Sequence, residues 1–533
     1  MTHALDAAAV QLRRTAQRIA TGRQWDDIFS ANEHVAGGSN LRAATAADVA
    51  NIGQTIRQAE AGRNWHDALM THTATFDAII IGAGQAGPSL AGRLTGAGMT
   101  VAMVERHLFG GTCVNTGCTP TKTLIASAKV AHQARRAREF GVLLSGEVAV
   151  DFRALKARKE SVVSNSRTGV ESWLRTMERC TVFTGQARFE APRAVRVNGT
   201  LLEAKRIFIN VGGRAVVPEL PGVERVPHLD NSSILELEAL PQHLVVIGGS
   251  YIGLEFAQMY RRFGSAVTVI EKGPRLVARE DEDVSEAIAA IFASEDISVR
   301  TSAECISFGT RADQVVAHVN CTEGAPEVAG SHVLLAVGRR PNTDDLGLER
   351  AGVAVDDRGY ITVDEELRTT QPGIWALGDC NGRGAFTHTA YNDYEIVAGN
   401  LLDGESRKVS DRIPCYGLYV DPPLGRVGLT EAQARTAGHR FRVGKRPMTR
   451  VGRAVEKGET AGFMKVIVDD DSQQILGAAI LGVGGDEAVH GILDTMAARA
   501  PFTTLKHAVH IHPTVSELIP TILGELQPPS AQT

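Results

Sequence analysis

From Phe76 onward the hydrophobic pattern settles into a repeating order of short apolar run, glycine turn and helical stretch. Asp77-Ala-Ile-Ile-Ile-Gly82 reads as a buried strand, and Gly82-Ala83-Gly84-Gln85-Ala86-Gly87 as a turn that opens a helix. The strand Thr100 to Val104 then ends at Glu105. Continuous apolar runs bounded by glycine suit parallel strands covered on both faces, so the pattern predicts a βαβ unit. Gly82, Gly84 and Gly87 permit a tight turn and close backbone approach to a pyrophosphate. The helix N-terminus supplies partial positive charge, and Glu105 accepts from a ribose hydroxyl. The unit recurs downstream. Leu244-Val-Val-Ile-Gly248 leads into Gly248, Ser250 and Gly253, a helix around Leu254 to Phe263, and the strand Val267 to Ile270 closed by Glu271. The spacing from first glycine to acid is the same in both units, which implies two dinucleotide sites. Ser250 departs from the glycine pattern, but its side chain is small enough to keep a near approach.

Before Phe76 the pattern differs. Residues 1–75 are rich in Ala, Gln, Arg and Thr, hold no cysteine and read as short amphipathic helices, with a six-residue echo between Gly22–Asp27 and Gly62–Asp67. Two copies fall short of the three or more units a repeat array needs. Met70-Thr71-His72 leads directly into the first strand and offers an alternative start.

Composition narrows the class. A chain of 533 residues predicts about three to four domains, and 43% hydrophobic with 22% charged residues is ordinary globular usage. The net charge of −5 provides no general basic surface for nucleic acid or anionic lipid. Met1 to Ala20 carries charges without a continuous apolar core, so no secretory signal is expected, and no run approaches the roughly 20 apolar residues of a membrane span. Seven cysteines are too sparse for a secreted disulfide scaffold, which favours a soluble protein of the reducing cytoplasm.

The spacing of two of those cysteines matters more than their number. In Gly110-Gly111-Thr112-Cys113-Val114-Asn115-Thr116-Gly117-Cys118-Thr119-Pro120-Thr121-Lys122, the pair Cys113 and Cys118 precedes Pro120 at an expected first helical turn. Such a pair can close a small disulfide where a helix dipole lowers a thiolate pKa, poised for dithiol/disulfide exchange. Two inert core cysteines, or half of a zinc site, are the other readings; the zinc site lacks a second Cys or His pair at ligand spacing. We expect no metal site, and read Cys180, Cys305, Cys321, Cys380 and Cys415 as structural.

This stretch resembles the active-site signature of the class I pyridine nucleotide-disulfide oxidoreductases, a family that includes dihydrolipoamide dehydrogenase, glutathione reductase and mercuric reductase. The resemblance runs from about residue 76 to 525. Ile209-Asn-Val-Gly212-Gly213-Arg and Leu335-Ala-Val-Gly338-Arg339-Arg340-Pro341-Asn342 resemble the two crossover segments, and Ile374-Trp-Ala-Leu-Gly378-Asp379 the second flavin motif, whose aspartate accepts from the ribityl chain. The resemblance implies an α/β fold with two Rossmann-like domains, one for FAD and one for NAD(P), plus a C-terminal α+β dimerisation domain. The boundaries expected are 1–75 for the helical extension, 76–226 and 346–408 for the two parts of the FAD domain, 227–345 for the NAD(P) domain and 409–533 for the dimerisation domain.

Roles follow by the same resemblance. Cys118 is similar to the thiol beside the flavin and Cys113 to the interchange thiol that attacks substrate. Lys122 and Glu255 resemble the ion pair near flavin N5, and Tyr251 the side chain that covers the flavin until nicotinamide displaces it. In His510-Ile511-His512-Pro513-Thr514-Val515-Ser516-Glu517 a carboxylate can orient a histidine for acid/base work near neutral pH. His512 and Glu517 match the family dyad that reaches the disulfide of the other subunit, which implies a homodimer with shared active sites.

Glu271 should accept from the 2′-OH of NAD and repel a 2′-phosphate, so NAD(H) is preferred, while Lys272 and Arg275 keep NADP(H) possible. The wording of Gly249–Ile252 and Phe386–Asp393 resembles the mercuric-reductase-like branch. Yet no cysteine precedes Cys113, the tail Gln527–Thr533 carries none, and His512 stands where those enzymes use another residue. Soft-metal handling calls for several thiolates. The expected substrate is therefore a small disulfide or dithiol, with metal-ion reduction and a non-catalytic flavin-bearing subunit, joined to a larger complex through residues 1–75, as the alternatives.

Overall fold

The computed structural model describes residues 73–304, 306–320 and 324–529. The helical reading of the extension, the Gly22/Gly62 echo, Cys305, Cys321 and residues 530–533 lie outside them.

The first sheet has seven strands. Strand β1 (Thr73–Ile81) pairs in parallel with β2 (Val101–Glu105), which pairs with β3 (Cys180–Thr184). Strands β4 (Ala187–Ala191) and β5 (Ala194–Val197) lead antiparallel into β6 (Thr200–Ile209), which returns parallel to β1, giving the order β3-β2-β1-β6-β5-β4. The strand Ile374–Ala376, far along the chain, joins the outer side of β6 in parallel. β1 begins four residues earlier than the apolar run suggests, because Thr73–Phe76 pair with Leu201–Ala204; Thr73–Thr75 are therefore strand and not part of a helical extension. Ala78 to Ile81 are buried, as the centre of a sheet covered on both faces requires. Helix α1 (Ala86–Gly96) follows the β1 turn, and α2 (Cys118–Arg135) carries the second cysteine at its first position.

A second parallel sheet repeats the plan. It contains β7 (His243–Ile247), β8 (Ala266–Ile270), β9 (Ser298–Arg300) and β10 (His332–Leu335) in the order β9-β8-β7-β10, with helix α3 (Tyr251–Phe263) between β7 and β8. α3 starts at Tyr251 rather than near Leu254, so Tyr251 stands at the helix mouth beside the glycine turn. A three-stranded antiparallel sheet of Ile306–Arg311, Gln314–Val319 and Glu327–Gly330 packs with it. Gly213–Ala215 and Arg339–Pro341 form a short antiparallel pair where the chain passes between the two sheets. The C-terminal region is a five-stranded antiparallel sheet of β11 (Cys415–Leu418), β12 (Leu424–Gly428), β13 (Phe441–Pro447), β14 (Phe463–Asp469) and β15 (Ile475–Leu481), in the order β11-β12-β15-β14-β13. Among the described residues no helix is long and apolar enough to cross a membrane.

Candidate active site

Both glycine turns are built alike. Gly82 and Gly248 lie at φ +106° and +113°, a region a side chain rarely tolerates, and a Cβ there would sit 2.2 Å from Asn210 O and 2.4 Å from Ala336 O. A Cβ on Gly87 or Gly253 would fall 2.4 and 2.1 Å from the carbonyl oxygen of the first glycine in its own turn, so helix and strand approach only because both are glycine. Ser250 occupies the middle place at a negative φ, with no strain.

Each acid locks its own turn. Glu105 accepts from Ala83 N at 2.9 Å and His107 N at 2.8 Å; Glu271 accepts from Gly249 N and Gly273 N, each at 2.6 Å. A carboxylate has about four acceptor positions, so lone pairs remain for ribose hydroxyls. The turns open into one cavity of about 2140 Å³, more than twice the usual upper size for a small-ligand site of about 1000 Å³. A space of that size, with a dinucleotide turn and an acid at each end, fits FAD and a nicotinamide nucleotide meeting in the middle. Gly82, Gly84, Glu105, Gly111, Thr112, Gly212, Gly338 and Asp379 line the side of the first turn and the crossover, and Gly248, Ser250, Tyr251 and Glu271 the side of the second turn. Gly87 and Gly253 stand behind the wall and hold helix to strand.

The cysteines meet the cavity between the two turns. Cys113 lies on the short helix Gly111–Asn115, and Cys118 opens α2, whose N-cap Gly117 offers no side chain to occupy the free N–H groups. Pro120 sits in that first turn, where its missing N–H costs nothing. Both thiols are free in the structure. A hydrogen bond from Cys113, together with the Thr387 hydroxyl at 3.5 Å and the charge of Lys122, pulls the Cys118 thiol down to about 5. The same bond and burial push Cys113 well above the usual thiol range. Thr387, Lys122 and the free N–H groups of the α2 N-terminus thus favour the thiolate at Cys118. Lys122, one turn further on α2, donates to Glu255 Oε2 at 2.7 Å and lies 4.6 Å from the centre of the Tyr419 ring, while Tyr419 N donates to the other Glu255 oxygen at 3.0 Å.

Asp379 lines the first-turn side of the cavity with Arg339 at 3.8 Å, and burial raises its carboxyl above the usual range. Tyr251 stands edge-on between Phe386 and Tyr416, at ring separations of 6.1 and 5.3 Å, and burial raises its hydroxyl to about 12. Arg275 is turned toward the carbonyls of Ala278 and Glu280 at 3.3 and 3.2 Å, away from a phosphate-holding position beside Glu271.

His512 and Glu517 form a pair of their own, Nδ1 to Oε2 at 2.8 Å, but they do not line this cavity. His512 is 80% exposed, next to Val509 at 98% and Ile511 at 80%. Sequence reasoning overlooked Thr387, Tyr419 and Asn210, whose Nδ2 donates to Gly82 O at 3.1 Å. Thr387 lies inside a segment noted only for its wording. Cys415, read as structural, is half-buried on the cavity wall, its thiol raised by burial. Among the described residues no group of three or more His, Cys, Asp or Glu is arranged to hold a metal ion.

Comparison with known proteins agrees with this architecture. Residues 76–393 match the pyridine nucleotide-disulphide oxidoreductase family and residues 415–522 its dimerisation domain. The chain is 38% identical over 451 residues to a probable pyridine nucleotide-disulfide oxidoreductase, RclA, of Escherichia coli, covering 83% of this chain and 97% of the relative. It is 34% identical over 456 residues to a mercuric reductase of Streptomyces lividans, covering 85% and 96%, and 33% identical over 450 residues to a dihydrolipoyl dehydrogenase of Chlamydia muridarum, covering 83% and 95%. The solved Cu(II) complex of the HOCl-induced flavoprotein disulfide reductase RclA from Escherichia coli superposes with a TM-score of 0.77 at 36% identity, over 85% of this chain and 99% of that one. With two dinucleotide turns, a cysteine pair between them and a dimerisation domain behind, the chain belongs to the pyridine nucleotide-disulphide oxidoreductases, FAD-dependent enzymes that act on sulfur groups with a pyridine nucleotide as electron carrier.

Proposed function

We propose that the protein is an NADH-dependent reductase of small disulfides, working through Cys113 and Cys118 in a homodimer of the cytoplasm. The observation that carries this reading is the placement of Cys113 and Cys118 on the wall of the cavity between the two glycine turns, with Cys118 at the N-terminus of α2 beside Thr387 and the Lys122–Glu255 ion pair. Gly82, Gly84, Glu105, Gly111, Thr112, Gly212, Gly338 and Asp379 would hold FAD, and Gly248, Ser250 and Glu271 the nicotinamide nucleotide. Flavin bound there would supply two-electron chemistry linking NADH to the Cys113–Cys118 disulfide. Lys122, fixed by Glu255, keeps a positive charge beside the Cys118 thiolate. Tyr251, at the mouth of α3 on the cavity wall, would cover the flavin until nicotinamide displaces it.

A protonated Cys113 is a poor nucleophile, so it needs a base. His512 of the partner subunit supplies one: it is oriented by a carboxylate, stands outside its own chain's cavity, and sits among apolar side chains too exposed for a face left in water. The Cys113 sulfur attacks one substrate sulfur, the substrate S–S bond breaks, and the first thiol leaves with the proton taken up by the histidine. The Cys118 thiolate then attacks the Cys113 sulfur, releasing the second thiol, which takes a proton from solvent, and closing the Cys113–Cys118 disulfide. Two electrons from NADH reopen it. The division into a flavin domain interrupted by a nicotinamide domain is supported by the strand Ile374–Ala376, which returns to the first sheet after the second is complete.

Glu271 is held by two backbone N–H groups and Arg275 is turned elsewhere, so a 2′-phosphate would meet a fixed negative charge with Lys272 alone of the two expected cations left on the cavity wall. Like-charge contact of this kind costs several kcal/mol, and kcat/KM should favour NADH over NADPH on the order of 100-fold. A second reading, reduction of a soft metal ion at the same thiols, is favoured by the related structure solved as a Cu(II) complex. One assay separates them. NADH oxidation is measured with a panel of small disulfides, then with Cu(II) or Hg(II) in excess thiol. Turnover releasing two thiols per NADH supports the first reading; stimulation by metal ions and by none of the disulfides replaces it with the second.

A further inference from the structure

Behind Tyr251 lies a buried chain of polar groups that the redox chemistry does not use. The Tyr416 ring meets Tyr251 edge-on at 5.3 Å and stacks on Phe386 at 5.8 Å, and its hydroxyl is the polar neighbour of the Tyr251 hydroxyl. Tyr416 donates its own proton to Glu280 Oε1. A carboxylate is a better acceptor than a phenol, so the Tyr416 O–H stays aimed at Glu280 and the Tyr416 oxygen is free to accept from the Tyr251 hydroxyl. Glu280 has a side chain with no exposed surface, and its second oxygen faces Arg426 Nε at 3.6 Å. Arg426 is 1% exposed and also stands 3.7 Å from Asp281, which Lys465 neutralises from the far side at 2.9 Å. None of the three Arg426 side-chain nitrogens makes a hydrogen bond, nor does Glu280 Oε2. The guanidinium thus balances the buried charge of Glu280 without occupying its hydrogen-bonding capacity, and Tyr416 is the hydrogen-bond donor that Glu280 retains. The chain runs from the C-terminal sheet, which supplies Tyr416 on β11 and Arg426 on β12, to the edge of the nicotinamide side, which supplies Glu280 and Tyr251.

We propose that Tyr416, anchored on the buried Glu280–Arg426 pair, is a positioning residue that latches Tyr251 in its closed place and so sets the affinity for NADH. The proposal rests on the reading of Tyr251 as the cover that nicotinamide must displace. Entry of the nicotinamide then requires the Tyr251–Tyr416 contact to be given up, and that loss is subtracted from the affinity.

Tyr416→Phe and Tyr251→Phe each keep the ring and remove one hydroxyl. Rapid-mixing reduction of the flavin-loaded dimer by NADH, under anaerobic conditions, gives the apparent Kd and the limiting rate separately. Each variant should bind NADH about three- to tenfold more tightly, the size of one hydrogen bond, and Tyr416→Phe, which lies behind the cover, should do so with the limiting rate unchanged. The double variant should gain no more than either single one, because both remove the same contact. An unchanged or weaker NADH affinity in Tyr416→Phe overturns the latch, as do gains that multiply in the double variant. Tyr251→Ala separates the two levels. If it alters neither constant, the cover reading and the latch fall together; if it alters them and Tyr416→Phe does not, the latch alone falls.

Discussion

Cys113→Ser should abolish disulfide turnover, lowering kcat by at least about 1000-fold, while NADH still reduces the flavin at close to the parent rate. The two halves of the reaction separate here because the proposed roles separate. Serine at 113 can still donate a hydrogen bond to Cys118, so the thiolate and its Lys122 neighbour persist, but an alcohol oxygen cannot attack a disulfide sulfur under these conditions. Cys118 also has no partner with which to close a disulfide, so its thiolate should be present even before NADH is added. Steady-state assays with a disulfide, beside NADH oxidation with an artificial one-electron acceptor, distinguish this from a folding defect, which would lower both. Equal loss in both assays would remove Cys113 from its role as interchange thiol.

His512→Ala should slow disulfide turnover by about 100- to 10,000-fold, the range expected for removing a general acid/base, again without slowing flavin reduction. The stronger test is a mixture. In a heterodimer of Cys113→Ser and His512→Ala protomers with shared sites, one site carries both defects and the other carries neither. Unfolding and reassembling the two inactive variants together should therefore restore activity that neither has alone. Sites completed within a single chain would leave every site damaged, and no activity would return. The exposed positions of His512, Val509 and Ile511 motivate the experiment.

What the sequence made legible was local. The strand, glycine turn and acid of each dinucleotide unit fall within a short stretch, and the constraint that Gly82 and Gly248 obey is imposed by carbonyls directly behind the turn. Cys113, Cys118 and Lys122 were legible for the same reason, since one short helix and the first turn of the next bring them together. Thr387 was not, because it reaches Cys118 across 269 residues of sequence and only the packing of its helix, Thr387–Ala398, against the flavin side brings it there. Tyr419 and Asn210 are likewise neighbours in space alone. The Tyr416–Glu280–Arg426 chain joins three separate segments, and no pattern in any one of them announces it. Arg275 shows the converse: its position beside Glu271 suggested a phosphate ligand, and its side chain instead holds the carbonyls of the following turn. The early start of β1 had a similar cause, since polar Thr73 and Thr75 are held in the strand by pairing with β6 rather than by burial.

In the proposed function Cys118 is a thiolate beside the bound flavin and relays its electrons. Anaerobic addition of one equivalent of NADH to the flavin-loaded dimer, followed by a pH titration of the reduced form, tests it most directly. A long-wavelength thiolate-to-flavin absorbance should appear on two-electron reduction, hold above pH about 5 and fade as the pH falls through that value, because protonation removes the charge. No such absorbance should appear in Cys118→Ser. An absorbance that survives Cys118→Ser, or one that appears only as the pH rises toward 9, the ordinary thiol value, would contradict it.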